Sequence, residues 1–336
     1  MTFKMKKAVF KIILIFIFIF LIFIFGFSLK RPFGVTDDIQ WGATFSKFFA
    51  VKMGLNWQET YLAILDDLKV KALHLPIYWE DIEPREGSFV FNDYDWMIDE
   101  AEKRDVKLIL VIGRKLPRWP ECHEPDWIKN QELLIKNQEL LEYIEKTVVR
   151  YRDLKNLYAW QIENEPFLPF GECPELDVGL LEKEINLVRS LDAEHPIIIT
   201  DSGELSVWLR AAKRADIFGT TMYRIVWNEK TGYIKYPLPP KFFWLKANFV
   251  RLFFPKKPII VSELQAESWG HKMLYESSLE EQAKSMNLKQ FNENIDYARK
   301  VGFPEVYLWG AEWWYWLKTK HSQPEIWEAA KNVLNN

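Results

Sequence analysis

Two glutamates stand at the ends of two strand-like runs that lie far apart in the chain. Residues 157–163 lead into Asn164-Glu165-Pro166, and residues 258–262 lead into Glu263, which comes 98 residues after Glu165. If both runs are strands of one parallel barrel, both carboxyl groups lie at its carboxyl-end mouth, where barrel active sites are built. The two glutamates therefore predict paired-carboxylate chemistry, with one group acting as an acid and the other as a base or nucleophile.

The elements that would hold this pair alternate regularly along the chain. Eight short apolar runs are each followed by a helical pattern, with no break in composition between them. The runs are residues 39–46, 71–77, 106–112, 157–163, 196–200, 217–222, 258–262 and 306–309. Alternating strand–helix units predict a parallel α/β sheet, and eight units predict closure into a (β/α)8 barrel. We therefore expect one domain over residues 32–336.

Residues 1–31 differ from the predicted barrel in charge and in hydropathy. They carry six bases and no acid, and the 18 residues between Lys11 and Lys30 are almost all Ile, Phe and Leu. This length is close to a bilayer span, and the excess of bases before it predicts a cytoplasmic N-terminus. We favour a single uncleaved transmembrane helix that anchors the chain in the membrane. The alternative is a signal peptide cleaved near Gly26-Phe27-Ser28, after which the protein is secreted. Both predictions place the barrel outside the cytoplasm.

The charge and the cysteine content of the predicted barrel limit which partners and cofactors it can have. Residues 32–336 carry 38 bases against 47 acids, a net charge of −9 that argues against nucleic acid. Cys122 and Cys173 lack CxxC spacing, and no cluster of metal ligands is visible, so no metal or organic cofactor is implied. The two cysteines fall in neighbouring loops, after strands three and four. We expect a disulfide between them, with two free thiols as the alternative.

Further candidate site residues come from the carboxyl ends of the predicted strands. They are His74, Trp79, Arg114, Asn164, Asp201, Glu204, Tyr223, Trp309, Glu312 and Trp313. Acids, amides and aromatic rings at one mouth suit a polyhydroxylated ligand, so a carbohydrate is the predicted partner. Trp79, Trp119 and Trp313 are interpreted either as sugar platforms or as packed aromatic residues. His74 is either a hydrogen-bonded barrel residue or a ligand contact. Asp201, Glu204 and Glu312 are expected to be solvated loop acids.

These motifs resemble glycoside hydrolase clan A, the retaining (β/α)8 enzymes that include cellulase, mannanase and β-galactosidase families. The resemblance rests on Asn164-Glu165-Pro166, on Ser262-Glu263, on Trp309, and on Trp79-Glu80-Asp81-Ile82-Glu83-Pro84-Arg85-Glu86-Gly87 after strand two. It covers about residues 40–316 and is closest to the cellulase-like family 5 and the β-galactosidase family 42. It implies hydrolysis of a β-glycosidic bond with retention of configuration.

The resemblance also implies roles for five residues. Glu165 would be the acid/base and Glu263 the nucleophile. Asn164 would bind the sugar 2-hydroxyl, Tyr223 would orient Glu263, and Trp309 would form the floor of the sugar site. Such enzymes place their two carboxyl groups about 5–5.5 Å apart. The acid/base must be protonated at rest, so its pKa must be raised, whereas the nucleophile must be charged.

The sequence departs from the cellulase-like pattern at three positions. His74 stands where an Arg is usual, Gly113-Arg114 where a His is usual, and Thr221 where a second His is usual. We therefore expect different contacts with the sugar. Two alternative functions remain open: a transglycosylase that remodels envelope polysaccharide, and a barrel that binds glycans without cleaving them.

Overall fold

A computed structural model of the protein describes Arg31 and residues 34–335. The predicted membrane anchor within residues 1–30 lies outside these residues. Among the residues that are described, no helix is both long enough and apolar enough to cross a bilayer.

Eight parallel strands close into a barrel. They are β1 (Gln40–Thr44), β2 (Ala72–Pro76), β3 (Lys107–Ile112), β4 (Leu157–Ile162), β5 (Ile197–Asp201), β6 (Ile217–Met222), β9 (Ile259–Gln265) and β10 (Glu305–Trp309). Each pairs with the next strand in this order, and β10 pairs with β1. Strands β7 (Ile225–Asn228) and β8 (Gly232–Lys235) form a separate antiparallel hairpin after β6. The predicted (β/α)8 barrel is confirmed.

Apolar side chains of each strand face two different cores because successive residues of a strand point to opposite faces. In β3, Leu108, Leu110 and Ile112 join the large cluster that includes the surrounding helices. Ile109 and Val111 belong to a smaller cluster with residues from other strands, which fills the barrel interior. The interior is therefore packed, and a substrate can enter only at the mouth.

Helices surround the barrel. They are Lys47–Lys52, Trp57–Asp66, Trp79–Ile82, Asn92–Glu102, Leu133–Tyr151, Val178–Leu191, Leu209–Ala212, Pro240–Phe253, Leu279–Gln282, Leu288–Val301, Ala311–Lys320 and Glu325–Leu334. Local sequence sets several of their ends. Asn56 Oδ1 accepts from the N–H groups of Gln58 and Glu59 at 3.0 and 3.2 Å, and Gly302 ends the helix Leu288–Val301 in a left-handed conformation.

The structure differs from the sequence prediction mainly in its loops. The seventh barrel strand runs on to Gln265, so Glu263 lies within it and not after it. The helical pattern after this strand is divided into two helices, Leu279–Gln282 and Leu288–Val301. The β7–β8 hairpin and the helix Ala311–Lys320 were not predicted. These insertions follow strand ends and enlarge the wall around the barrel mouth.

Candidate active site

The end of strand β4 is fixed to the end of β3 by a buried carboxylate. Glu163 Oε1 accepts the N–H of Arg114 at 2.8 Å, and Oε2 accepts the N–H of Lys115 at 2.7 Å. A Cβ at Gly113 would lie 2.6 Å from Glu163 Oε1, and Gly113 has a φ of 133°, so glycine is required there. The two strand ends are thus held together directly before Glu165.

Glu165 is buried at the mouth in an unusual backbone conformation, with a φ of 41°. Its N–H donates to Thr200 Oγ1 at 2.8 Å, and its Oε1 accepts the Thr221 hydroxyl at 2.9 Å. Burial raises the pKa of Glu165 to about 7, with a further rise from Asp201, while the Lys115 charge and the Thr221 hydroxyl oppose the shift. Glu165 therefore has the raised pKa that an acid/base needs.

Glu263 lies opposite on β9 and is also buried. Tyr223 donates its hydroxyl to Glu263 Oε2 at 2.8 Å, whereas Oε1 has no hydrogen-bond partner among residues 34–335. Burial raises the pKa of Glu263, and the neighbouring charges of Glu165 and Glu121 raise it further. Because the charge of Glu165 acts on Glu263, the two carboxyl groups titrate as a pair. The pair can carry out acid-assisted nucleophilic displacement in the state that holds a single proton on Glu165, with Glu263 charged and its Oε1 free.

A third carboxyl group, that of Glu121, joins this pair from the loop after β3. Glu121 Oε2 accepts the side-chain amide of Asn164 at 3.2 Å. Burial raises the pKa of Glu121 to about 8, and the Glu165 charge adds to the shift while Lys115 opposes it. Asn164 therefore contacts a carboxyl group before any ligand is present. We call Glu121, Glu165 and Glu263 the open cluster.

A second acidic group lies at the same mouth and contains its own cation. The guanidinium of Arg118 binds Glu267 Oε1 at 2.5 Å and Glu312 Oε2 at 2.8 Å. It lies between the rings of Phe49 and Trp309, 3.8 and 3.9 Å from their centroids. Trp309 Nε1 also donates to Glu267 Oε1 at 2.9 Å, which fixes the Trp309 ring. We call Arg118, Glu267 and Glu312 the closed cluster.

An aromatic rim extends from the open cluster to the surface. Tyr223, which binds Glu263, has its ring 5.3 Å from that of Trp269. Trp269 lies 5.7 Å from Phe170, and Phe170 lies 6.0 Å from Trp119. Trp119 is 44% exposed, so its ring is available to a ligand. Flat aromatic surfaces of this kind suit sugar rings outside the cleavage position.

The expected disulfide between Cys122 and Cys173 is confirmed, with the two Cα atoms 5.3 Å apart. It joins the loop that carries Trp119 and Glu121 to the loop that carries Phe170. The N–H of Glu172 also donates to the carbonyl of Pro120 at 2.9 Å. Both loops therefore form one wall of the mouth.

For Trp79 and Trp313 the structure decides between the two interpretations: both are packed aromatic residues and not sugar platforms. Trp79 is fully buried, donates Nε1 to Glu83 Oε2 at 2.9 Å and stacks on Tyr143. Trp313 is buried in the helix after β10 and donates Nε1 to Gln282 Oε1 at 2.7 Å. Each ring packs in the core because its strand-end helix turns it away from the mouth.

His74 and Arg114 also lie outside the predicted contact surface. His74 is fully buried inside the barrel between Thr44 at 3.1 Å and Gln161 at 2.8 Å, and burial lowers its pKa to about 4. Arg114 pairs with Glu124 at 3.0 Å and donates to Asn137 at 2.9 Å.

Arg114 lines a cavity of about 620 Å³ beside the site. The loop wall around Phe167 and the helix residue Glu184 also line it, whereas Glu165 and Glu263 do not. The cavity therefore lies behind the reacting pair.

The prediction that Asp201, Glu204 and Glu312 are solvated acids is also wrong. Asp201 and Glu312 are almost completely buried, and Glu204 accepts the N–H of Tyr223 at 3.0 Å. Burial raises the pKa of Glu204 to about 8. These acids support the backbone around the mouth, a role that strand-end position alone does not distinguish from solvent exposure.

Sequence reasoning missed Glu121, Arg118 and Glu267. Glu121 and Arg118 lie in the long loop after β3, and Glu267 lies two residues beyond β9. The Arg118-Trp119-Pro120-Glu121-Cys122 segment offered one signal, since charged residues beside a disulfide-linked cysteine are held near the mouth. The fold of a long loop, however, cannot be derived from its sequence spacing.

Comparisons with known proteins agree with the strand-end motifs. The family model "Glycosyl hydrolase family 10" matches residues 75–175, which contain Glu121 and Glu165. A probable mannan endo-1,4-beta-mannosidase A from Aspergillus niger is 26% identical over 123 residues, 32% of this chain and 30% of that protein. The match therefore spans less than a third of this curated relative.

Solved structures share the fold. Native xylanase 10B from Thermotoga maritima superposes with a TM-score of 0.58 at 15% identity and covers 89% of this chain and 95% of its own. A β-galactosidase from Rahnella sp. R3 gives a TM-score of 0.58 at 10% identity, over 84% of this chain and 52% of that one.

The fold and the two glutamates together define a class of protein. Its members are (β/α)8 barrels with one carboxyl group at the end of the fourth barrel strand and a second on the seventh. The family model and the curated relative add a similarity to glycoside hydrolases over part of the chain, which includes Glu121 and Glu165. The reaction of this protein follows from the site.

Proposed function

We propose that this protein hydrolyses a β-glycosidic bond with retention, using Glu165 as acid/base and Glu263 as nucleophile. The observation that carries the proposal is the buried carboxylate pair just after β4 and within β9, in which Glu165 has a pKa of about 7 and Glu263 Oε1 has no partner among the described residues. The names of the relatives, a mannanase, a xylanase and a β-galactosidase, support a carbohydrate substrate.

In the first step, Glu263 Oε1 attacks the anomeric carbon and forms a glycosyl ester. The bond between that carbon and the leaving oxygen breaks, and the Glu165 proton passes to this oxygen. Tyr223 holds the other Glu263 oxygen, which fixes the direction of attack. Once the ester forms, Glu263 carries no charge, so the pKa of Glu165 falls and its carboxylate persists.

In the second step, Glu165 acts as the base. Its carboxylate takes a proton from water, the water oxygen bonds to the anomeric carbon, and Glu263 leaves as a carboxylate. Two inversions give net retention, and both glutamates return to their starting protonation states. No redox change occurs.

A transglycosylase is the second candidate function, and the aromatic rim favours it. Trp119, Phe170 and Trp269 offer stacking surfaces next to the pair, on which an acceptor sugar could lie in place of water. The ester intermediate is the same in both reactions. Product analysis with and without added acceptor sugar distinguishes transfer from hydrolysis.

We also propose that the barrel acts outside the cytoplasm, held by the apolar segment within residues 1–31. The Cys122–Cys173 disulfide supports an oxidising compartment. Protease treatment of intact cells tests this proposal: digestion of the barrel in intact cells supports it, and protection until lysis contradicts it. Fractionation then separates a membrane-bound form from a secreted form.

The test of the reaction compares wild type with Glu263→Ala on activated aryl β-glycosides, with and without azide. We expect wild-type turnover, loss of at least about 10⁴-fold in the variant, about 5.5 kcal/mol, and rescue by azide with formation of an inverted glycosyl azide. Glu172→Ala, an exposed glutamate on the neighbouring loop, is the matched control and should retain full activity.

Three results would contradict the proposal. Full activity in Glu263→Ala would exclude this residue as the nucleophile. Azide rescue with retained configuration would exclude the assigned pair. Glycan binding by wild type without any turnover would instead support the non-catalytic barrel.

A further inference from the structure

The open cluster is unusual because its three carboxyl groups have only neutral partners. Asn164 donates to Glu121, Thr221 to Glu165 and Tyr223 to Glu263. No salt bridge within residues 34–335 involves any of the three. Hydrolysis requires two carboxyl groups, so the third needs a separate explanation.

Nearby cations are engaged elsewhere. Arg118 is held by Glu267 and Glu312, as described above. Lys115 Nζ donates to the carbonyl oxygens of Glu165 and Leu168 at 3.1 and 2.8 Å. These cations reduce the cost of burying the acids, but within residues 34–335 no ammonium or guanidinium forms a salt bridge with a carboxyl group of the open cluster. A cation supplied by the ligand would therefore find uncompensated carboxylate at the site.

The position of Glu121 indicates which part of a sugar it meets. In a retaining site the anomeric carbon lies between two carboxyl groups about 5–5.5 Å apart. The ring neighbours of that carbon are C2 and the ring oxygen. Glu121 reaches the pair through Asn164, the residue directly before Glu165; the Glu165 charge raises the pKa of Glu121, and the Glu121 charge raises that of Glu263. The ring oxygen carries no proton, so the C2 substituent is the group next to the anomeric carbon that can donate to a Glu121 carboxylate.

We propose that Glu121 selects the C2 substituent and that the site takes a 2-amino-2-deoxy-β-glycoside, whose ammonium group binds the Glu121 carboxylate. Asn164 holds the carboxyl group in place from the other side. The proposal rests on the proposed function, because the anomeric carbon is located by the Glu165–Glu263 pair. It adds the substrate class to that reaction and changes none of its bond-making steps.

Charge chemistry favours an ammonium over the other common C2 groups. An ammonium next to Glu121 stabilises its carboxylate form, so ligand and residue form a charge-assisted hydrogen bond out of bulk water. A hydroxyl gains only a neutral hydrogen bond in the same place. An acetamido group carries no charge, so it cannot stabilise the carboxylate form of Glu121 in this way.

The test measures kcat/KM for aryl β-glycosides with a 2-amino, a 2-hydroxyl or a 2-acetamido group, in the gluco, manno and galacto series. The full-length protein is used, kept in a mild detergent because of its apolar N-terminal segment. We expect wild type to prefer the 2-amino substrate by at least about tenfold. In Glu121→Gln, kcat/KM for the 2-amino substrate should fall at least about tenfold further than kcat/KM for the 2-hydroxyl substrate, so that the preference is lost.

Two further variants separate charge from structure. Glu121→Asp keeps the charge and should keep part of the preference, whereas Glu172→Gln removes an exposed charge from the neighbouring loop and should behave as wild type. Thermal unfolding of each variant verifies folding. An unchanged preference in folded Glu121→Gln, or a wild-type preference for 2-hydroxyl or 2-acetamido substrates, overturns the proposal.

A binding titration distinguishes failure of this inference from failure of the hydrolase. The probes are a β-1,4-linked glucosamine disaccharide and cellobiose, followed by NMR at matched ionic strength. If wild type cleaves no substrate, the proposed reaction fails. Tighter binding of the amino disaccharide that is lost in Glu121→Gln would still support the site. Equal binding of both disaccharides would overturn it.

Discussion

The open and closed clusters both place buried carboxyl groups at the same end of the barrel. They differ in whether a cation is paired with those groups. In the closed cluster, Arg118 lies between two carboxylates and two aromatic rings, and all these groups are buried. In the open cluster, three carboxyl groups have only hydroxyl and amide donors, and burial raises the pKa of each.

This difference distinguishes acids that support the structure of the mouth from acids that can take part in the reaction. A buried carboxylate that is paired with a guanidinium is held in one geometry and one charge state. A buried carboxyl group without a cation has a raised pKa, so it can gain or lose a proton near neutral pH. The closed cluster fixes the Trp309 ring, while the open cluster keeps its protons exchangeable. Burial also raises the pKa of Glu267 and Glu312, but there Arg118 opposes the rise by direct contact, so a contacting cation is what separates the closed cluster from the open one.

Replacement of Glu165 by Gln breaks the open cluster and should have the largest effect. On a substrate with a poor leaving group, kcat should fall by about 10³-fold or more, about 4 kcal/mol, because no acid protonates the leaving oxygen. On a dinitrophenyl glycoside the first step needs no acid, so an ester on Glu263 should accumulate. A burst of dinitrophenol measures this. Equal losses on both substrates, without a burst, would contradict the acid/base role.

Removal of the cation from the closed cluster should lower the stability of the fold more than it lowers the rate of hydrolysis. Arg118→Met leaves Glu267 and Glu312 buried without a partner, so the free energy of unfolding should fall by about 3–5 kcal/mol. Arg104→Met is the matched control, since Arg104 also binds two carboxylates, Asp66 and Glu100, but at the surface. It should cost at most about 1 kcal/mol. Similar losses in the two variants, measured by denaturant unfolding, would contradict the distinction between buried and exposed pairs.

The disulfide connects the wall that carries Glu121 and should contribute an intermediate amount. It closes a separation of 51 residues, so the double variant Cys122→Ser/Cys173→Ser should lose about 2–4 kcal/mol of unfolding free energy. Thermal unfolding with and without reductant measures this loss, and wild type under reductant should approach the variant. An unchanged midpoint after complete reduction, verified by thiol alkylation and mass, would show that the loops hold without the bond.

The pH dependence of kcat/KM should show the smallest effect for each unit of pH. It measures the protonation of the open cluster directly. Hydrolysis needs protonated Glu165, whose pKa is about 7, so kcat/KM should fall as the pH rises above 7, by about tenfold per unit. The sign follows from a raised pKa on an acid: the active form exists below it and is lost above it. The fall in kcat/KM above pH 7 should be absent when Glu165→Gln is assayed on dinitrophenyl glycosides. A profile that stays flat to pH 9 in wild type would contradict the assignment.

The regular parts of the fold could be predicted from the sequence because they depend on short periodic patterns. The apolar runs ending at Met222 and Trp309 appear as strands at those positions. The β7–β8 hairpin was missed because its residues, Ile225–Asn228 and Gly232–Lys235, carry no strong alternation. Long loops were not predictable, since their conformation depends on partners that are distant in the chain.

The residues of the candidate site also fall into a predictable group and an unpredictable group. Glu165, Glu263, Asn164, Tyr223 and Trp309 were identified from strand ends, and the structure brings them to one mouth. Trp79 and Trp313 have equally suitable positions in the sequence, but their rings pack inward. A strand end fixes where a Cα lies, whereas short helices that follow the strand decide where the side chain points.

The sequence by itself determined the barrel and the position of its two principal carboxyl groups, because strand periodicity and strand order depend on neighbouring residues. Only the tertiary structure decided which acids have a cation. Arg118 is 149 residues from Glu267 and 194 from Glu312, and Glu121 reaches Asn164 across 43 residues. Burial and pairing depend on such distant contacts, and they set the charge state of each carboxyl group.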